Sequence, residues 1–203
     1  MPNSIKLTMK AQKARFLLKE SVSEDEIYTA ALNNDWLWWD KTLSSEDNPY
    51  EVVWITDDEQ KTIHYIEDHL INLRYLVAQG NDVEQLVEQI HSSLATYNKE
   101  EIRQLVEKAT TRDEQVSAIY QVGIAAYQDY DSDFFELFKI GLSNPDAEVR
   151  KAAILAVGYV GWSEFREILQ HLKTDDPDLT VRERASIMLE GYDIIAQTDS
   201  AKK

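Results

Sequence analysis

The stretch Asp146-Ala147-Glu148-Val149-Arg150-Lys151-Ala152-Ala153-Ile154-Leu155-Ala156-Val157-Gly158 returns in outline as Asp178-Leu179-Thr180-Val181-Arg182-Glu183-Arg184-Ala185-Ser186-Ile187-Met188-Leu189. A fainter copy runs from Asp113 through Val116 to Ile124. Val116 and Val149 lie 33 residues apart, and Val149 and Val181 lie 32 apart. A fixed period of this length marks supersecondary units that bury their apolar faces by stacking. Val149, Ala153 and Val157 fall at i, i+4, i+8 on one helical face, and Val181, Ala185 and Leu189 repeat that spacing. The small alanine at the centre of each face lets a neighbouring helix approach closely.

Working outward, the pattern predicts three helical pairs: 100–109 with 113–127, 133–142 with 146–160, and 163–172 with 178–192. Asp113, Asp146 and Asp178 stand where a helix N-cap is needed, with Pro145 and Pro177 just before two of them. Upstream, Ile63, Ile66, Leu70, Leu73, Leu76 and Val77 recur at three- and four-residue steps, so 57–80 and 82–97 read as a degenerate first helical pair.

Residues 1–56 read as a divergent N-terminal cap. Ser23 and Glu26 have capping-box spacing for a helix to about Asn33, followed by Trp36, Trp38 and Trp39. Glu51 to Ile55 is a β-branched run that predicts one short extended segment. The polar residues 196–203 read as a flexible tail.

The run Asn144-Pro145-Asp146-Ala147-Glu148-Val149-Arg150-Lys151-Ala152-Ala153, with Val157-Gly158, resembles the HEAT-type repeat, in particular the short HEAT-like repeats first associated with phycobilisome lyases. Asp176-Pro177-Asp178-Leu179-Thr180-Val181-Arg182 matches the same pattern; the Asp113 copy departs from it, with Ser117 in place of arginine and Tyr120 in place of alanine. The strong match covers roughly 130–195 and leaves the N-terminal third unexplained. The ankyrin Thr-Pro-Leu-His turn and the tetratricopeptide Trp/Gly/Tyr pattern are absent. The resemblance implies an all-α fold, a right-handed α-solenoid of helical pairs over 57–195. It also implies a protein-binding module, or alternatively a lyase-type protein that holds a phycobilin while it is attached to a phycobiliprotein.

Composition sets outer limits. The 203 residues carry a formal charge of −16 and no cysteine. That excludes disulfides and thiolate metal sites, disfavours nucleic acid, and suits a basic or amphipathic protein partner and a cytoplasmic location. No apolar run is long enough for a membrane span, and Met1 to Lys19 lacks the apolar core of a secretory signal. That segment is instead basic, with Lys6, Lys10 and Lys13 on one face if helical.

Candidate functional residues follow from the repeat. Val122, Leu155 and Ile187 occupy equivalent positions on the second helix of each pair, where a concave face would carry recognition, with Lys151 and Glu183 at the rim. Arg150 and Arg182 read as a structural ladder with Asp113, Asp146 and Asp178, pairing Asp113 with Arg150 and Asp146 with Arg182. Trp36 to Trp39 suit either a cap over the end of the stack or a binding hot spot. Chemistry is thinly represented: His64 and Asp68, with Glu67 and His69 beside them, are four apart on the expected helix. Asp57/Asp58 and Asp175/Asp176 read as caps and turns, and His91 and His171 as surface residues. No residue set points to a catalytic centre, a metal or a bound cofactor other than the bilin.

Overall fold

The computed structural model describes residues 12–126 and 129–200, with side chains to Gln197. Lys6 and Lys10 of the basic segment lie outside the described residues, while Lys13 sits in a strand. The chain divides into two compact units, one formed by the residues up to Thr96 except for Ile71–Leu73, the other by those three and the residues from Tyr97 onward.

The first unit contains β1 (Gln12–Leu17), α1 (Glu24–Asn33), β2 (Leu37–Thr42), β3 (Tyr50–Ile55), β4 (Lys61–Asp68), β5 (Leu73–Gly80) and α2 (Glu84–Ser93). The strands form an antiparallel sheet in the order β1-β5-β4-β3-β2. Val52 and Trp54 of β3, paired with Tyr65 and Ile63 of β4, are buried in one cluster with Phe16 and Leu76. Ile27 and Ala30 of α1 and Leu86 and Ile90 of α2 close over that cluster. The capping box at Ser23 forms as its spacing predicts, and the β-branched run 51–55 lies within β3.

This sheet overturns the all-α expectation. Residues 61–68 and 73–80 are strands, so the chain is mixed α and β and not an α-solenoid. The physical reason lies in the two faces of the sheet. Ile63 and Tyr65 point to the core, while Ile66 and Val77, on the other side, are half-buried and also apolar. Apolar residues on both faces blur the two-residue alternation into apparent three- and four-residue steps. The tight turn at 56–60 was the better clue: Asp58 Oδ1 accepts from the Gln60 amide and the Thr56 hydroxyl, and Glu59 has a left-handed φ of 55°.

The second unit carries the repeat. Its helices are α3 (Lys99–Lys108), α4 (Arg112–Ala125), α5 (Ser132–Leu142), α6 (Ala147–Val160), α7 (Arg166–Asp175) and α8 (Leu179–Ser200), with a 3₁₀ turn at Ser163–Phe165. Helix α4 packs on α6 and α6 on α8, so the second helices of successive pairs form one layer. Val149, Ala153, Val157, Val181, Ala185 and Leu189 are all buried, as their spacing predicts. Asp146 and Asp178 accept amide hydrogen bonds at their helix starts, whereas Thr111 takes the cap ahead of Asp113 and completes a capping box with Glu114. Helix α8 runs on to Ser200, past the end of the apolar period.

The α4–α6 contact is the tightest point of this layer. A Cβ at Gly123 would lie 3.0 Å from the Ala156 Cβ and 3.1 Å from its Cα and carbonyl oxygen. Neither backbone atom can turn aside, so the two small residues set the helix spacing. Gly123→Val is therefore expected to lower unfolding free energy by about 1–3 kcal/mol, read from urea midpoints followed by far-UV circular dichroism. A variant as stable as the parent would show that the helices can separate at no cost.

Candidate functional site

The aliphatic row on the second helices is not uniform. Val122 is fully buried, Leu155 is 37% exposed and Ile187 is 67% exposed. Val122 therefore belongs to the core, and only Leu155 and Ile187 present apolar surface. Helix α8 enlarges that surface, because Ile194 and Ile195, seven and eight residues beyond Ile187, are exposed on the same face. Their i+7 and i+8 spacing was available in the sequence but lay beyond the repeat's last motif residue. Glu183 is exposed one turn before Ile187, and Lys151, half-buried one turn before Leu155, is ion-paired with Glu148.

The turns between helices hold a different arrangement. Arg150 donates to both carboxylate oxygens of Asp176, from Nε at 2.7 Å and Nη2 at 2.8 Å. Its Nη1 donates to the carbonyls of Asn144 and Pro145 at 2.8 and 3.0 Å. The two side chains are only 9% and 2% exposed. Arg182 repeats the carbonyl contact, with Nη1 donating to Asp176 O at 2.5 Å, and Arg112 Nε donates to Asp146 Oδ2 at 2.6 Å. The expected ladder of Arg150 and Arg182 does not form; instead two arginines, Arg112 and Arg150, each reach forward to a carboxylate of the following turn. Arg150 meets Asp176 and not Asp113, while Asp146 meets Arg112 and not Arg182. Asp176, half of the Asp175/Asp176 pair, was the partner that sequence spacing did not single out.

Between these turns lies a half-open groove of about 540 Å³, floored by Leu142, Ile168 and Leu172 and flanked by Pro145 and Pro177. Its rim carries Lys139 and His171, whose Nδ1 lies 2.9 Å from Asp175 Oδ2. Both side chains already have a partner, since Lys139 pairs with Glu136.

In the first unit, His64 and Asp68 lie on β4, not on a helix. His64 Nδ1 sits 2.7 Å from Glu51 Oε1 and its Nε2 sits 2.9 Å from Thr62 Oγ1. A carboxylate, an imidazole and a hydroxyl in line have the connectivity of an activated nucleophile. Such a hydroxyl also needs N–H donors where an oxyanion would form, and Thr62 and His64 lie in a paired ladder opposite Ile55 and Val53. The trio is best read as a cross-strand polar cluster. Glu67 accepts from the Tyr65 hydroxyl at 2.5 Å; burial first, and then this bond, push the phenol's pKa up. Asp58 serves the 56–60 turn, His91 Nδ1 lies 3.0 Å from the Thr96 hydroxyl, and no group of three metal-binding side chains occurs among the described residues.

Trp36 is buried, with its indole N–H donating to Gln89 Oε1 at 3.3 Å, whereas Trp38 and Trp39 lie exposed on β2. Trp36 thus belongs to the core of the first unit, while Trp38 and Trp39 present open indoles. No helix among the described residues is long and apolar enough to cross a membrane. No protein-family model, no curated protein and no solved structure matches the chain.

The Arg150–Asp176 fork yields two expectations. Asp176→Asn leaves a buried guanidinium without its counter-charge and should cost about 3–5 kcal/mol, while Arg150→Met combined with Asp176→Leu should recover most of that loss. Urea unfolding of the single and double variants checks this, and equal instability of the two would refute it. The second expectation concerns acid. Burial alone would raise the Asp176 carboxyl; the hydrogen bonds from Arg150 and the Asp178 amide outweigh it and hold the pKa below its ordinary value. A lowered folded-state pKa adds stability above the unfolded value of about 3.9, which is lost as pH falls through the folded value. Thermal midpoints should therefore drop below about pH 4, and the drop should be shallower in the Arg150→Met, Asp176→Leu variant.

Proposed function

We propose that the second unit is a HEAT-like repeat module and that the chain works as a non-catalytic protein-binding protein. The observation that carries this reading is the exposure of Leu155 and Ile187 at equivalent positions on adjacent, well-packed helices. Aliphatic side chains on rigid helices, next to Ile194 and Ile195, offer the kind of surface onto which an amphipathic helix lays its apolar face. Residues 97–197 carry 11 basic against 19 acidic side chains, so the partner that fits is basic as well as amphipathic. The same charge repels phosphate backbones, which argues against nucleic acid as the ligand.

Leu155→Asp and Ile187→Asp place a carboxylate in the middle of this surface. Each is expected to abolish co-purification of the partner from the source organism while leaving the circular dichroism spectrum unchanged; the melting midpoint should hold in Ile187→Asp, which is mostly exposed, and fall modestly in Leu155→Asp, whose side chain is largely covered. Undiminished capture by both variants would rule the face out. Titration with free bilin tests the other reading implied by the repeat. A red-shifted, enhanced absorbance band at micromolar protein would move the assignment to a lyase-type protein; the protein-binding reading expects an unchanged spectrum.

A further inference from the structure

We infer that the β2 edge of the first unit binds an extended, arginine-bearing segment of a partner protein through Trp38 and Trp39. β2 is the terminal strand of the sheet, and every residue in it is exposed. Trp38 and Trp39 are 59% and 61% exposed, and Leu37 before them and Leu43 after the strand are also open to solvent. Large indoles left in water on a formed strand are unfavourable for the isolated unit and favourable at an interface. The strand is held firmly: Trp36 just before it is buried, and Trp38 pairs across to Trp54 in the core. The backbone that carries the indoles is therefore fixed, which limits the ordering entropy that opposes binding.

Side chains, not the backbone ladder, would carry the recognition. A bulge at Trp39 interrupts the register between β2 and β3, and Asp40 Oδ1 accepts the Lys41 amide at 2.8 Å. Both features disfavour the addition of a further strand. Lys41 itself turns back, with its Nζ 4.8 Å from the centre of the Tyr50 ring. What is open to a partner is thus the two exposed indoles and Asp40, with Glu46 and Asp47 in the loop that follows.

Charge chooses the occupant. Residues 12–96 carry six Lys and Arg against 17 Asp and Glu. A second copy of a chain with net charge −16, a nucleic acid and an anionic membrane would all be repelled. A guanidinium is attracted by both elements of the site, the indole faces through cation–π contact and the carboxylates through charge. An extended segment bearing arginine at alternate positions would set its cations on the indoles and beside the carboxylates.

The test uses the full chain and the synthetic peptide Arg-Val-Arg-Val-Arg-Val, with a glutamate-for-arginine peptide as control, in ~150 mM salt. Titration calorimetry and tryptophan fluorescence should both report binding of the arginine peptide and none of the control. Trp38→Ala with Trp39→Ala should weaken binding roughly tenfold or more, and Asp40→Asn should weaken it less. Ile187→Asp should leave it unchanged, which separates this surface from the helical one. Equal binding by the parent and the double tryptophan variant would reduce the effect to general attraction by an acidic protein and overturn the proposal. Absence of binding at about 1 mM peptide, the weak end of specific affinity, would overturn it as well.

Discussion

A buried guanidinium needs a counter-charge and hydrogen-bond acceptors around it, and that constraint organises the second unit. Arg150 meets it by joining three stretches of chain: its own helix, the Asn144-Pro145 turn before it, and Asp176 in the next turn. Asp176 in turn accepts the Asp178 amide and, through its carbonyl, the Arg182 guanidinium. The contact is thus passed from one turn to the next. Because removing both charges is expected to be nearly neutral, the fork does more for register than for stability. A slip of one helix along its neighbour would leave the guanidinium unpaired. The same register brings Gly123 against Ala156 and leaves Leu155 and Ile187 facing solvent.

Where local chemistry decides structure, the sequence was readable. The Ser23 capping box, the aspartate caps at 146 and 178 and the i, i+4, i+8 faces each act within a few residues, and each formed. The 61–80 region failed because its decisive interactions are distant: the sheet buries Ile63 and Leu76 on one face and leaves apolar Ile66 and Val77 half-covered on the other. Seen along one dimension, that mixture imitates a helix. Tertiary pairing and a five-residue turn chose otherwise, and the β-branched and aromatic content of 61–66 was the local signal pointing the same way.

The candidate sites divide along the same line. The repeat located Leu155 and Ile187, but it also placed Val122 beside them, and burial separates these three. Position in a repeat fixes which face a residue lies on, not how far the neighbouring pair covers it. Arg150 was legible as a residue that joins turns, but its partner was not, since Asp113 and Asp176 are comparable partners for it until the turns are placed in space. The exposed tryptophans were the least legible, because the usual expectation for an indole is burial. Only the position of β2 at the sheet edge reveals that Trp38 and Trp39 have no layer above them.

An acidic chain can expose such surfaces without losing solubility, and this links its composition to its two apolar patches. With a net charge of −16, copies of the protein repel one another, so indoles and isoleucines that would promote self-association on a neutral protein are shielded from each other. The same field attracts cationic partners. Negative charge would then have two effects at once, suppressing self-association and favouring the cationic partners proposed above. The patches differ in shape, one a ridge of aliphatic side chains on helices and the other a pair of flat rings on a strand. On the proposed readings, shape would select the form of the bound segment, helical or extended, and charge would select its sign.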